Sequence, residues 1–425
     1  MLLFLYNFLW TLSLIIILPL LLLSGKPGLT ERLGLNLPAN PLRKKRIWIH
    51  ALSVGEVISA IPLIRAVKSK YPSVSVVFTV KTSQGMDVAV KELGNEADAL
   101  VPMPVDFWWS TSRMFRFICP SVLILVEGDI WPGLLSYLQK RDIKVLLVNG
   151  RISPRTLRSY RRFGFFVRPM LNKIELFLMQ SEVDRERLIE TGLPPEKVEN
   201  TGNIKFDRAW RPMEVEERNH WLRLLNLRSE NTVWVAGSTH EGEHELILET
   251  HKRLKEYFPG LFLIIAPRRT EWAGNIYNMS MGMGLDAVAR SDLDVNVENP
   301  SHDVMILDTI GELERIYGLA DISFVGGSMV PTGGHNLLEP ASFGCPVLFG
   351  EYTHNFLLMS QDLAESGGGL RIKDTDDLFL KMKALLFDRE LSAMMGKKAK
   401  EFVLKNSGSM DRVMAHLEGY INRND

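Results

Sequence analysis

The sequence predicts an α/β protein of two doubly wound domains behind a membrane-spanning N-terminal helix. Short β-rich apolar runs alternate with helical patterns along most of the 425 residues, the pattern of parallel sheets covered on both faces. The rhythm pauses between Asp207 and Ser229, a polar stretch containing Pro212, and then resumes. The first segment, Met1 to Leu23, carries no charged side chain; at a rise of ~1.5 Å per residue it is long enough to cross a hydrocarbon layer of ~30 Å.

Taken in order, residues 1–24 read as a retained anchor, since a cleavable signal peptide would want a basic start and a small-residue cleavage site. Residues 25–45 form a basic linker with Lys26, Arg32, Arg43, Lys44 and Lys45 against Glu31 alone. The positive-inside rule then puts the body of the protein on the cytoplasmic side of the membrane. The first domain, 46–209, has strand signals at Arg46–Ala51, Val74–Val80, Val122–Val126, Lys144–Val148 and Ile174–Met179, with helical stretches such as Leu134–Gln139 and Val183–Ile189 between some of them. The second, 210–425, repeats them at Thr232–Ala236, Leu261–Ala266, Val304–Leu307, Ile322–Val325 and Pro346–Phe349, with a helical tail after about Asp376. In such sheets ligands bind beyond the carboxyl ends of strands, so the loops there carry the functional information.

Composition narrows the classes. Lys+Arg 50 balances Asp+Glu 50, so no global field favours nucleic acid. Two cysteines, Cys119 and Cys345, argue against a disulfide framework and fit a reducing compartment. The string "HEGEH" (His240–His244) satisfies the zinc-protease pattern, which works only if both histidines lie one turn apart on an established helix. Here "VWVAGS" reads as a strand running into a loop, so His240 falls at a loop-to-helix junction. Ser238 and Thr239 as helix caps before an acidic first turn are the simpler account.

Three loop positions could do chemistry. Glu56 follows the first strand by a few residues and is either a general base or an acid decorating a helix N-terminus. Pro62 would make that helix start late or kink. Lys205 is either a charge-neutralising group or a solvated loop lysine. The glycine-rich "GGSMVPTGGHNLLEP" (Gly326–Pro340) is either an anion cradle opening a helix at about His335 or a tight structural turn.

Six motifs in register resemble one family: "IHALSVGE" (Ile49–Glu56), "VEGDIWP" (Val126–Pro132), "TGNIKFD" (Thr201–Asp207), "STHEGE" (Ser238–Glu243), "APRR" (Ala266–Arg269) and "VGGSMVPTGGHNLLEP" (Val325–Pro340). They resemble the 3-deoxy-D-manno-octulosonic acid (Kdo) transferases of lipopolysaccharide assembly, over nearly the whole chain. The resemblance implies a GT-B glycosyltransferase of two Rossmann-like domains facing a cleft. It implies CMP-Kdo as donor on the C-terminal side and a lipid A precursor as acceptor on the N-terminal side. Inversion at the anomeric carbon, no cofactor and no active-site metal are implied as well. By the same resemblance Glu56 is the base, and Glu127 and Lys205 stabilise the transition state. Ser238, Thr239, Pro267, Arg268, Ile310, Gly311, Glu312, Gly327, Ser328, Asn336, Leu337, Leu338 and Glu339 hold the nucleotide.

Arg151, Arg155, Arg158, Arg161 and Arg162, interleaved with Tyr160, Phe163, Phe165 and Phe166, suit an anionic membrane surface or phosphorylated lipid better than RNA. Asp129 departs from the family's usual second glutamate, Gly133 from Asn or Ser, and Arg269-Thr270 from His-Pro. Competing readings are a UDP-sugar transferase or epimerase on the same fold, and an anchored zinc hydrolase built on His240 and His244.

Overall fold

The computed structural model describes residues 6, 10–13, 29–37, 46–94, 96–207, 211–293 and 300–421. The expected anchor 1–24, the linker 25–45 and the junction at 209/210 lie largely outside them. Among the described residues no helix is long and apolar enough to cross a membrane. The chain divides into two compact units: the described residues of Met1–Arg208 with those of Asn406–Asp425, and those of Ala209–Lys405.

The first unit holds a seven-stranded sheet in the order β3-β2-β1-β4-β5-β6-β7. Its strands are β1 Arg46–Ala51, β2 Ser75–Val80, β3 Ala99–Pro102, β4 Val122–Val126, β5 Lys144–Gly150, β6 Leu176–Met179 and β7 Val198–Asn200. The second sheet runs β10-β11-β9-β8-β12-β13-β14, from β8 Thr232–Thr239, β9 Leu261–Pro267, β10 Ala287–Ala289, β11 Val304–Ile306, β12 Ile322–Val325, β13 Val347–Phe349 and β14 Gly369–Arg371. Every pairing in both is parallel. Strands buried on both faces explain why they read as unbroken apolar runs rather than alternating ones.

Two expectations are corrected. Helix Val54–Lys70 starts directly after the β1 loop and runs through Pro62. Its face Val57, Ala60, Ile61, Ile64 and Val67 packs into the core with Ile47, Ile49 and Phe78. Burial of ~1.5–3 kcal/mol per large side chain outweighs the ~3 kcal/mol that an interior proline costs. The helical tail, assigned by sequence to the second domain, ends in helix Ser409–Ile421, which belongs to the first unit. Its apolar stripe Val413, Met414, Leu417 and Ile421 joins the core of β1 and helix Val54–Lys70. Asp207 accepts the amides of Gly408 and Met410 at its start, and Arg412 Nε donates to Thr201 O at 2.9 Å.

Candidate active site

In the first unit the strand order reverses between β1 and β4, where diverging loops leave room for a ligand. Glu56 and Glu127 follow these two strands. Ser53 stays extended at φ −123° and the helix starts behind it, so Glu56 falls in the first turn. Its Oε2 accepts the Leu52 N–H at 2.6 Å and its Oε1 the Ser53 hydroxyl at 3.4 Å. Burial pushes the Glu56 carboxyl up; the Leu52 amide opposes this, the charges of Glu127 and Asp129 add to it, and the group sits at about 7. Glu56 thus occupies a helix N-terminus and also has the proton affinity at which a general base works best.

Glu127 lies in the left-handed region at φ 65°, a conformation uncommon for such a side chain and concentrated at functional sites. Its Oε1 receives Lys205 Nζ at 2.8 Å, the Ser59 hydroxyl at 2.9 Å and Asn149 Nδ2 at 3.4 Å. The structure therefore joins Glu127 and Lys205 in one ion pair. Ser59 and Asn149 escaped the sequence reading. The available signals were the helical spacing of Ser59 from Glu56, three residues on, and the Asn-Gly pair closing β5.

Asp129 lies beside them: its Oδ2 accepts Trp131 Nε1 at 2.8 Å and stands 3.2 Å from His50 Nε2 and 4.0 Å from Lys81 Nζ. Burial works against its charge, but these partners hold its carboxyl below the ordinary value. The Gly133 departure also has a cause. Asp106, 2% exposed, caps helix Pro132–Gln139 by accepting the N–H groups of Gly133 at 2.8 Å and Leu134 at 2.7 Å. A Cβ at Gly133 would stand 2.6 Å from Asp106 Oδ1. Gly133→Ser is expected to destabilise the protein by about 1–3 kcal/mol, read as a lower urea midpoint; an unchanged midpoint contradicts this packing.

The second sheet reverses between β8 and β12, and the donor candidates gather at its carboxyl ends. Their centre is Glu243, fully buried. Its Oε2 accepts the N–H groups of His240 at 2.8 Å and Gly327 at 2.7 Å, and its Oε1 those of Ser328 at 3.0 Å and Met329 at 2.9 Å. A carboxylate out of water needs several donors, and the loop amides supply them. The amides of Gly327 and Ser328, in the loop expected to hold the nucleotide, are thus bonded to Glu243. The Ser328 side chain is equally committed, donating to Val325 O at 2.6 Å and accepting the Gly350 N–H at 2.8 Å. Ser238 and Thr239 cap no helix: β8 runs through Thr239 and the helix begins at His244. The helix expected at about His335 opens at Leu338, as Leu338–Phe343, because Gly333 and Gly334 hold left-handed turns at φ 100° and 75° just before it.

Asn336 Oδ1 accepts the Leu338 N–H at 3.1 Å, and its Nδ2 donates to Glu339 Oε1 at 3.2 Å. Leu337 and Leu338 are core residues, so only their backbone is placed to meet a ligand. Pro267 closes β9 and is buried. Arg268 is exposed, its N–H bonded to Thr239 O at 2.9 Å. Ile310 is 76% exposed beside Gly311 at φ 97°, and Glu312 is held by Arg290 at 3.1 Å and by the Thr309 hydroxyl.

The zinc pattern fails its structural condition. His244 is the first residue of helix His244–Lys255 and His240 lies outside it. His240 Nε2 stands 2.8 Å from His335 Nε2, the rings stacked at 5.1 Å and 13°. Burial, then Arg268 and His240, push His335 down to about 4, and burial lowers His240 as well. Two neutral rings therefore share one hydrogen bond near neutral pH. Among the described residues no group of three His, Cys, Asp or Glu is placed to hold a metal ion.

Arg155, Arg158, Arg161 and Arg162 lie on helix Pro154–Arg162, none of whose residues is buried, and Arg151 precedes it, also exposed. Arg161 pairs with Glu190 at 2.5 Å. Phe163 and Phe165 beside it are 50% and 70% exposed.

Two parallel-sheet α/β units, each with polar groups clustered at its switch point, define a protein of the GT-B fold class. Solved structures share this fold: UDP-GlcNAc 2-epimerase from Neisseria meningitidis (TM-score 0.59, 14% identity, covering 88% of this chain and all of that one) and a glycosyltransferase from Rickettsia africae (TM-score 0.58, 14%, covering 90% and 100%). The family model for 3-deoxy-D-manno-octulosonic-acid transferase (kdotransferase) matches residues 27–208. The 3-deoxy-D-manno-octulosonic acid transferase of Haemophilus influenzae is 34% identical over 93% of this chain and 92% of its own, and that of Chlamydia pneumoniae 29% over 93% and 90%. The chain belongs to the Kdo transferase family and is a glycosyltransferase.

Proposed function

We propose that the chain moves Kdo from CMP-Kdo to a lipid A precursor, lipid IVA, with inversion and release of CMP. An acceptor hydroxyl is scarcely ionised at neutral pH, so Glu56 takes its proton as the oxygen attacks the anomeric carbon. The bond from that carbon to the CMP phosphate oxygen breaks, its electron pair leaving on the phosphate. Glu127 faces the positive charge that develops at the sugar carbon. Lys205, paired with Glu127 at 2.8 Å, neutralises charge on the departing phosphate or the Kdo carboxylate. Because Glu243 occupies the amides of Gly327 and Ser328, Arg268, Asn336 and the backbone of Leu337–Leu338 carry the phosphate contact in this reading. Glu339 takes the ribose hydroxyls, and the backbone of Ile310–Glu312 meets the base. The observation that carries the proposal is the gathering at the first switch point of Glu56, which accepts the Leu52 amide at 2.6 Å, with the Glu127–Lys205 pair at 2.8 Å.

Thermal melting against nucleotides tests the donor. CMP at ~100 times its dissociation constant stabilises the protein by about 2.7 kcal/mol and raises the Tm, while UMP and UDP do not. A rise with UDP alone would replace this reading by a UDP-sugar enzyme.

The basic helix belongs to the same proposal, as the face toward the acceptor and an anionic inner-membrane surface, with an anchor at Met1–Leu23 and the catalytic units on the cytoplasmic side. Each exposed arginine near such a surface contributes about 1 kcal/mol. Replacing Arg155, Arg158 and Arg162 with alanine is expected to weaken partitioning onto anionic vesicles about 100-fold at low salt. Partitioning equal to wild type contradicts that face.

A further inference from the structure

We infer that Asn149, with Gln180 and Asn203, is a positioning device that holds the Lys205 turn against Glu127. The inference rests on the roles proposed above for that ion pair. Asn149 stands at φ 58° at the end of β5, where the register with β6 slips between Val148 and Gly150. Asparagine tolerates that backbone better than other side chains with a Cβ. The residue is fully buried, yet its carboxamide works in two directions. Oδ1 accepts the Ile204 N–H at 3.1 Å, and Nδ2 donates to Glu127 Oε1 at 3.4 Å.

The chain of amides continues. Gln180 Nε2 donates to Asn149 O at 2.9 Å, its Oε1 accepts Asn203 Nδ2 at 3.2 Å, and Asn203 Oδ1 accepts the Lys205 N–H at 3.0 Å. Backbone groups force every orientation in this series. The Ile204 and Lys205 N–H groups demand oxygens, and the Asn149 carbonyl and the Glu127 carboxylate demand N–H donors. The first two amides of the turn Ile204–Asp207 that carries Lys205 are thereby pinned, and Lys205 Nζ reaches Glu127 Oε1 at 2.8 Å. Carboxamides do not titrate, so the clamp keeps its geometry while the charged pair works. An aspartate at 149 would keep the acceptor for Ile204 but set an oxygen against Glu127 Oε1.

Asn149→Asp and Asn149→Gly test this, since both tolerate the left-handed backbone. The full chain is assayed with CMP-Kdo and lipid acceptor, beside Lys205→Ala and the Lys205→Ala/Asn149→Asp double variant. Displacing the pair by ~1 Å is expected to lower kcat about 100-fold in either Asn149 variant. The donor KM and the CMP-induced rise in Tm stay at wild-type values, and Lys205→Ala adds little on top of Asn149→Asp because the two act as one unit. In Asn149→Asp the new carboxylate also moves the acid limb of the pH–rate profile upward; in Asn149→Gly the limb stays in place. If Lys205→Ala lowers kcat while a folded Asn149 variant turns over normally, or the two losses simply add, the clamp is wrong. Normal turnover in Lys205→Ala itself removes both the pair's role and the clamp built on it.

Discussion

Glu56→Gln is expected to lower kcat by about 10²–10⁴-fold, the range a positioned general base supplies, while CMP still raises the melting temperature. The replacement keeps an oxygen for the Leu52 amide, which now meets Glu56 Oε2 at 2.6 Å, so the helix start survives and only the proton acceptor is lost. The pH dependence carries a second signature. Glu56 must be ionised to act, and with its carboxyl raised to about 7 in the free protein the wild-type kcat/KM rises through that pH and levels off above it. The variant's residual rate shows no such limb. Stability moves the other way. The folded state holds the carboxyl above its ordinary value of 4.5, so the unfolded chain ionises first and stability falls between about 4.5 and 7. Glu56→Gln escapes that loss and melts higher than wild type above pH 7, with no difference below 4.5. Near-normal turnover in the variant would take Glu56 out of the mechanism.

Glu243→Ala has the largest expected effect on stability. Four amides, of His240, Gly327, Ser328 and Met329, lose their shared acceptor. Each buried donor left unsatisfied costs about 1–3 kcal/mol, so a loss of about 4 kcal/mol or more is expected, a large share of the 5–15 kcal/mol typical of a folded domain. With the glycine-rich loop released, the CMP-induced rise in Tm disappears too. The control is Glu241→Ala, the glutamate a zinc hydrolase would use as base. It is exposed, and its removal is expected to change stability by less than about 0.5 kcal/mol. Urea denaturation of both variants checks the pair; equal, small effects would show that Glu243 does not anchor the loops.

The same glutamate shows where the sequence stops being legible. The letters around it fit a zinc motif as well as the acidic first turn of a capped helix, and only the return of β12 beside β8 brings Gly327 and Ser328 to it. That contact spans 84 residues, and no local pattern reports it. Interior strands were legible because burial on both faces makes them apolar throughout. The four strands not marked by sequence, Ala99–Pro102, Val198–Asn200, Ala287–Ala289 and Gly369–Arg371, are the four edges of the two sheets. Edge strands are short and half-covered, so composition hardly separates them from loops. The tail misled for a related reason. The stripe Val413, Met414, Leu417 and Ile421 announces a buried face, but periodicity does not say which core receives it. Glu56 and Glu127 were legible as positions because strand ends are. The raised carboxyl of the one depends first on burial in the folded unit, with a smaller part from the Glu127 charge 71 residues away, and the Lys205 contact of the other spans 78 residues.

The central claim is sugar transfer from a CMP-activated donor, and mass analysis of the products tests it most directly. Purified full-length chain incubated with CMP-Kdo and a lipid A precursor should add whole Kdo residues to the lipid, with one CMP released for each residue added. Free Kdo and CMP without a heavier lipid, or an unchanged lipid beside intact CMP-Kdo, would contradict it.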